Sequence, residues 1–251
     1  SQPNEFRCKH CVNEGECNLE CAIDIEKAIK TEGASNVAAF IGEPVSASAG
    51  IHIPHQDYWP TVREICTKYG VLLICDEIIT GFGRTGKMFA TEHWGITPDI
   101  FTVAKALTSG YIPIGATIAS RNISDSFMKN EHSTFQNLFT FGGNPVSSSA
   151  ALANLDILEN ENMINNSKEM GDYLFNKLQI LYKHNIVGDV RGGFGLLCAI
   201  ELVKDQKTKQ WFDKATRLEY KLGLLKNKYR MLGRAGNIIP LAPPLCITKS
   251  E

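Results

Sequence analysis

Two short segments contain residues whose types and spacing could support covalent chemistry on a bound cofactor. Asp76 and Glu77 follow the apolar run 71–75, which has the length of a strand, and Lys105 lies between another apolar run and a loop of small residues. A carboxylate can keep the pyridine nitrogen of pyridoxal phosphate protonated, while an amine can form a Schiff base with its aldehyde. Because open α/β sheets bind ligands at the carboxyl ends of their strands, this placement predicts a pyridoxal phosphate site. The competing interpretation is a capping carboxylate and a solvated lysine.

The glycines after the acidic pair also imitate two nucleotide-binding motifs. Gly81-x-Gly83-x-x-Gly86 matches the dinucleotide fingerprint, and Gly81 to Lys87 resembles a P-loop. The fingerprint requires a turn that leads directly from a strand into a helix, whereas here the acidic pair and three more residues intervene and no helical period follows. The P-loop requires a Ser or Thr hydroxyl where this chain has Met88. The sequence therefore argues against nucleotide binding.

Apolar periodicity predicts the elements that must position these residues. Strands are predicted at 37–42, 71–75, 100–103, 114–119, 186–190 and 196–203. Helices are predicted at 21–32, 57–69, 145–159, 167–184 and 214–229. The alternation of strands and helices indicates an α/β fold whose central sheet is mostly parallel and flanked by helices.

Several motifs, in order, resemble the class III (omega) aminotransferases, which are pyridoxal phosphate enzymes of fold type I. The two longest are segments 76–86 and 104–116. Shorter ones lie at 43–45, 139–145, 187–192 and 242–245. The resemblance runs from about Asp24 to the end of the chain. It implies that residues 1–161 are part of the large cofactor-binding domain and that residues 162–251 are part of a smaller α+β C-terminal domain.

The resemblance also implies roles for individual residues. Lys105 would form the Schiff base with the cofactor and then move a proton between substrate and cofactor. Asp76 would pair with the pyridinium nitrogen, while Ile78 would pack against one face of the ring. Thr140 would bind the cofactor phosphate of the neighbouring subunit, so that the enzyme would be a homodimer with a shared active site.

Two further residues are implied on the substrate side of the site. Arg234 would receive the substrate carboxylate, since a guanidinium group can bind a carboxylate through two parallel hydrogen bonds. Glu43 would balance that arginine or line the pocket. These roles predict that an amino donor and a keto acid acceptor share one pocket.

Two sequence features favour different substrates. Ile79 takes the place where relatives that act on ornithine or 4-aminobutyrate often have glutamine, which favours a pyruvate-dependent omega-aminotransferase. Segment 141–145, Phe-Gly-Gly-Asn-Pro, is instead similar to the alanine–glyoxylate and phospho-lyase branch. We therefore predict transfer of an amino group from an omega-amino acid or amine to pyruvate or glyoxylate by a ping-pong mechanism. The alternatives are another class III enzyme, such as an aminomutase or a phospho-lyase, an inactive fragment, or a zinc-binding module.

Composition excludes several other classes of protein. The chain has 251 residues, 43% of them hydrophobic, which is enough for a sizeable core. Its net charge of −1 and the lack of a basic stretch argue against nucleic acid as a partner, and no apolar run is long enough to cross a membrane. The resemblance further suggests an internal fragment that lacks the N-terminal phosphate-binding loop and the extreme C-terminus, and that is inactive alone.

Eight cysteines raise the question of metal binding or disulfides. Cys8, Cys11, Cys17 and Cys21 lie within 14 residues, but the gap between the two pairs is shorter than in usual zinc fingers and ribbons. We therefore predict no metal site and free thiols in a reducing cytoplasm. The remaining four cysteines lie in apolar stretches, which predicts small core residues: Cys66, Cys75, Cys198 and Cys246.

Overall fold

A computed structural model describes residues 6–8, 17–129, 131–213 and 237–251. The helices are α1 (Glu20–Glu32), α2 (Tyr58–Tyr69), α3 (Arg121–Ser126), α4 (Pro145–Asn160) and α5 (Met163–Leu178). The strands are β1 (Ala39–Gly42), β2 (Leu72–Asp76), β3 (Ile100–Val103), β4 (Ala116–Ala119), β5 (Val187–Arg191), β6 (Cys198–Leu202) and β7 (Ile238–Leu241). No helix in these ranges is both long and apolar enough to span a membrane.

The larger sheet has the order β1-β2-β3-β4. The first three strands are parallel, and β4 pairs with β3 in the antiparallel direction. Helix α2 packs on one face of this sheet, where Trp59, Val62 and Cys66 join Leu73 and Cys75 in one buried cluster. The predicted α/β fold with a mostly parallel sheet is therefore confirmed.

The local sequence explains how the elements around the site begin and end. Gly70 adopts a left-handed conformation after α2, and its N–H donates to the carbonyls of Cys66 and Thr67, so that the chain turns directly into β2. At α4, the Asn144 side chain accepts hydrogen bonds from the first turn, and Pro145 occupies the first helical position. Both boundaries agree with the sequence to within one residue.

A second sheet of three antiparallel strands has the order β5-β6-β7. Leu197 and Ala199, at the start of β6, are buried in the same cluster as Leu73 and Cys75 of β2. The two sheets therefore pack on a shared core, and helix α5 lies close to the turn before β6 because Gly171 and Gly195 touch through their backbones.

Two predictions in this half of the chain are wrong. Helix α5 begins at Met163 rather than at 167, because Asn162 takes a left-handed conformation that reverses the chain immediately after α4. It ends at Leu178 and continues as a 3-10 helix to Lys183. Cys246 is exposed instead of buried, whereas Cys66, Cys75 and Cys198 are buried as predicted. The helix predicted at 214–229 lies outside the described residues.

Candidate active site

Three side chains predicted to act together follow three neighbouring parallel strands. Glu43 comes directly after β1, Asp76 is the last residue of β2, and Lys105 lies two residues beyond β3. Because parallel strands end at the same edge of a sheet, all three residues lie along one edge. This is the carboxyl edge, where open α/β sheets bind their ligands.

Asp76 is half-buried, and its side chain is fixed by the backbone that follows. Its Oδ1 accepts a hydrogen bond from the N–H of Ile78 at 3.0 Å. Across the sheet it is paired in register with Thr102, so both side chains lie on the same face. The Thr102 hydroxyl oxygen is buried and has no hydrogen-bond partner within the described ranges. The face that carries Asp76 therefore holds one further polar group that is available to a ligand.

Lys105 is exposed and begins a short 3-10 turn, Lys105–Leu107. Its φ is +37°, a value that residues other than glycine rarely adopt and that costs about 1–3 kcal/mol. Within the described part of the chain, the structure shows no ion pair of its ammonium group. The turn thus presents a free amine beside the strand that ends in Asp76.

Glu77, the second member of the acidic pair, is buried and points away from Asp76. Its carboxylate accepts hydrogen bonds from the Thr80 hydroxyl at 2.5 Å and from the N–H groups of Ala90 and Thr91 at 3.1 and 2.9 Å. Burial raises the pKa of Glu77, while these hydrogen bonds act in the opposite direction. Glu77 therefore ties the segment 80–91 to the end of β2, a structural role that the sequence did not indicate.

A cavity of about 470 Å³ lies beside this edge. One wall is formed by the loop 47–51 and by Ile79, three residues after Asp76. Leu197, Trp211 and the segment that contains β7 complete the lining. A volume of this size suits a small organic molecule, and the walls are mostly apolar.

The remaining predicted residues are distributed as follows. Glu43 accepts a hydrogen bond from the N–H of Ala47 at 3.1 Å and so shapes the loop that lines the cavity. Ile78 is half-buried in the turn after Asp76. Thr140 is exposed in a turn among exposed apolar residues. Arg234 lies outside the described residues.

The dinucleotide motif lacks the surroundings that it needs. After Gly86 the described chain forms turns and a 3-10 helix, Ala90–Trp94, instead of the α-helix that a dinucleotide site requires. Cys8, Cys17 and Cys21 are free thiols, and among the described residues no group of His, Cys, Asp or Glu side chains is placed to hold a metal ion. Cys11 lies outside those residues.

Comparison with known proteins identifies the family. The family model described as class III aminotransferase matches residues 5–251. The chain therefore belongs to the class III aminotransferase family.

Relatives with assigned names show the range of reactions on this scaffold. The chain is 40% identical over 238 residues to putrescine–pyruvate aminotransferase of Pseudomonas aeruginosa, with 94% of the chain and 51% of the relative covered. It is 38% identical over 251 residues to taurine–pyruvate aminotransferase of Bilophila wadsworthia, covering 94% and 55%. It is 37% identical over 253 residues to leucine/methionine racemase of Thermococcus litoralis, covering 98% and 54%. The chain thus spans about half the length of the curated relatives it matches.

A solved structure has the same fold over nearly the whole chain. An amine transaminase from an uncultivated Pseudomonas species, in its pyridoxal phosphate-bound form, superposes with a TM-score of 0.93 at 38% identity. The match covers 99% of this chain and 57% of the other.

Proposed function

We propose that the protein is a pyridoxal phosphate-dependent aminotransferase that moves an amino group from an amine or omega-amino acid to a keto acid. One observation carries the proposal: a half-buried carboxylate, Asp76, and a free amine, Lys105, lie at the carboxyl ends of two adjacent parallel strands. The pyridine nitrogen and the aldehyde of the cofactor are at opposite ends of its ring. A carboxylate for the pyridine nitrogen and, at a distance from it, an amine for the aldehyde therefore suit the cofactor.

The described residues provide the functions that such a cofactor needs from the protein. Asp76 would hold the pyridine nitrogen in its protonated state, and Ile78 would pack on one face of the ring. The buried Thr102 hydroxyl, which has no partner among the described residues, supports a polar ligand on this face of the sheet. When bound, pyridoxal phosphate stabilises the electron pair left on the donor carbon after its proton is removed.

Lys105 has two duties in this proposal. Its amine would hold the cofactor aldehyde and would then carry the proton taken from the amine-bearing carbon of the donor. The exposed position and the free ammonium group are compatible with an amine that must exchange partners during each turnover. The donor leaves as an aldehyde, a ketone or a keto acid, and the acceptor takes up the amino group in a second half-reaction at the same site.

Pyruvate is the acceptor that the comparisons favour, since two relatives with assigned names use it. The cavity is lined by Ile79, the residue after Ile78, and its apolar walls favour the carbon chain of an amine donor. Arg234 would bind the acceptor carboxylate, and Glu43 would shape the wall through its bond to Ala47. Residues 1–161 would carry the cofactor, and residues 162–251 would close the substrate side.

A homodimer is part of the proposal because segment 111–146 carries many exposed apolar side chains. The exposed large hydrophobic residues of this segment are Tyr111, Ile118, Phe127, Met128, Phe135, Leu138, Phe139, Phe141 and Val146. Contiguous exposed apolar surface typically marks a protein interface. Thr140 lies within this stretch, so a second copy seated on it would bring Thr140 to the partner's cofactor phosphate.

Racemisation is the second candidate, since a racemase is among the relatives. Both reactions remove the same proton, so Lys105 and Asp76 would be unchanged. A keto product that forms only when pyruvate or glyoxylate is added indicates the aminotransferase. Inversion of an amino acid without any acceptor indicates the racemase.

Borohydride reduction followed by peptide mapping tests the proposal. The full-length protein is saturated with pyridoxal phosphate and reduced, and the modified lysine is identified by mass spectrometry. We expect a stoichiometric pyridoxyl adduct on Lys105, lost in Lys105→Ala and retained in the matched control Lys87→Ala, which removes an exposed lysine six residues after the start of the glycine-rich turn. An unmodified Lys105 in folded, cofactor-saturated protein would contradict the proposal.

A further inference from the structure

Arg84 is a partly buried cation that is held by backbone carbonyls instead of by an acid. Its Nη1 donates to the carbonyl oxygen of Leu196 at 3.0 Å and to that of Pro243 at 2.6 Å. Burial lowers the pKa of Arg84, and the structure shows no ion pair between it and any residue in the described ranges. A guanidinium group in this position costs desolvation that its carbonyl contacts must offset.

The two carbonyls belong to residues next to the cavity wall. Leu196 precedes Leu197, and Pro243 follows Ala242; both of these neighbours line the 470 Å³ cavity. One side chain thus binds the backbone on either side of that wall. Arg84 therefore fixes two separate strand ends at the points where they enter the wall.

Arg84 also lies five residues after Ile79, another residue of the cavity lining. The turn that begins with Glu77 is closed by the hydrogen bond from the Gly81 N–H to the Glu77 carbonyl at 2.9 Å. Two residues beyond Arg84, the backbone of Gly86 lies so close to Gly195 that a Cβ on Gly195 would stand 2.4 Å from the Gly86 nitrogen. Ile79, which lines the cavity, belongs to this same turn.

We propose that Arg84 is a positioning residue that holds Leu197 and Ala242 of the cavity lining next to the turn that carries Ile79 and so selects amino donors by size. The selection of donors rests on the proposed function, whereas the positioning itself does not. Arginine suits this task because its planar group reaches two carbonyls in fixed directions, which lysine does not reproduce. The effect would be strongest on the segment 237–247, which is held to the turn through the Pro243 carbonyl.

Hydrogen–deuterium exchange on the full-length protein tests the positioning. We expect Arg84→Gln to speed exchange at least tenfold in peptides that cover 237–247 and 195–197, and to leave 58–76 unchanged, since local opening follows the loss of local contacts. Arg84→Lys should give a smaller increase, because one carbonyl contact can survive. The matched control is Arg63→Gln, which removes the 2.7 Å ion pair to Asp99 on the other side of the sheet. Unchanged exchange in 237–247, or an equal increase in all peptides, would overturn the proposal.

Donor discrimination tests the selection by size. For the holoenzyme with pyruvate, the ratio of kcat/KM for putrescine to that for benzylamine should change at least fivefold in Arg84→Lys, while the stoichiometry of the borohydride adduct stays the same. An equal fall for both donors would refute selection by size and leave only a structural contribution. If wild-type protein forms no adduct with pyridoxal phosphate, the proposed function fails, and the exchange experiment still decides the positioning by Arg84.

Discussion

Asp76 and Glu77 are consecutive carboxylates with opposite surroundings. Asp76 is half-buried at the end of β2 and, within the described part of the chain, accepts one backbone hydrogen bond, from Ile78. Glu77 is 1% exposed and accepts three hydrogen bonds from the segment 80–91. Successive residues of a strand point to opposite faces, so the two carboxylates have different roles. Asp76 is available to a ligand, whereas Glu77 holds the turn that positions Asp76.

Replacement of Asp76 by asparagine should separate catalysis from folding. The amide oxygen can still accept the Ile78 N–H, so the unfolding free energy of the apo protein should stay within about 0.5 kcal/mol of the wild type. The lost charge should lower the transamination rate by about 100-fold or more, because the pyridine nitrogen is no longer held protonated. Steady-state kinetics and denaturant titration measure the two effects, with Asp156→Asn on the exposed side of α4 as the control. A turnover within threefold of the wild type would contradict the role of Asp76.

Replacement of Glu77, in contrast to that of Asp76, should lower the stability of the folded protein. Glu77→Ala leaves the Thr80 hydroxyl and the N–H groups of Ala90 and Thr91 unpaired, at a cost of about 3 kcal/mol or more in unfolding free energy. Glu77→Gln keeps one acceptor oxygen and should cost about 1–3 kcal/mol. Urea titration of both variants, beside the exposed control Glu64→Ala, gives the comparison. A loss in Glu77→Ala no greater than in Glu64→Ala would show that the buried bonds contribute little.

The sequence is sufficient for the parts of the site that depend on neighbouring residues. It predicts the strand at Ile100–Val103 with its observed bounds, and β2 to within one residue, because each is a short apolar run that ends in a turn. The mostly parallel direction of the strands follows from their alternation with helices. For that reason the sequence alone assigns Asp76 and Lys105 to strand ends.

The parts that the sequence could not predict depend on contacts between distant residues. Arg84 meets Pro243 across 159 positions, and nothing near Arg84 distinguishes it from a surface arginine. The Thr102 hydroxyl has no hydrogen-bond partner among the described residues, and this can be recognised only once β2 and β3 are placed in register. The prediction for Cys246 is wrong because an apolar stretch is buried only when another element covers it.

A charged substitution in the exposed apolar stretch should dissociate the proposed dimer. Leu138 is 96% exposed in the isolated chain, so Leu138→Asp should cost little in the monomer. At an interface, a desolvated aspartate should weaken association by about 100-fold or more. Sedimentation equilibrium of Leu138→Asp and of the control Ile180→Asp, an exposed site on a different part of the chain, measures the change. Equal dissociation constants for both variants would place the interface elsewhere.

The buried ion cluster around Glu201 should make stability depend on acid pH. Burial alone would raise the pKa of Glu201, but hydrogen bonds from Arg191, Trp211 and Arg7 outweigh it and hold the pKa below its usual value. The Arg191 Nη1 and Trp211 Nε1 atoms donate at 2.6 and 2.7 Å, so removal of the charge leaves buried donors poorly paired.

Glu201→Gln should therefore lower the unfolding free energy by about 3–5 kcal/mol at pH 7. Because the folded state binds the Glu201 proton more weakly than the unfolded state, this contribution is fully present above the unfolded pKa of about 4.3 and is lost as the pH falls through the lower folded value. The difference in unfolding free energy between wild type and Glu201→Gln, called the gap below, should thus be constant from about pH 7 to 5 and shrink below about pH 4. Guanidinium titrations across this range, with Glu161→Gln as an exposed control, measure the gap. A gap that widens as the pH falls would show that the folded state binds the Glu201 proton more tightly than the unfolded state, which contradicts the lowered pKa.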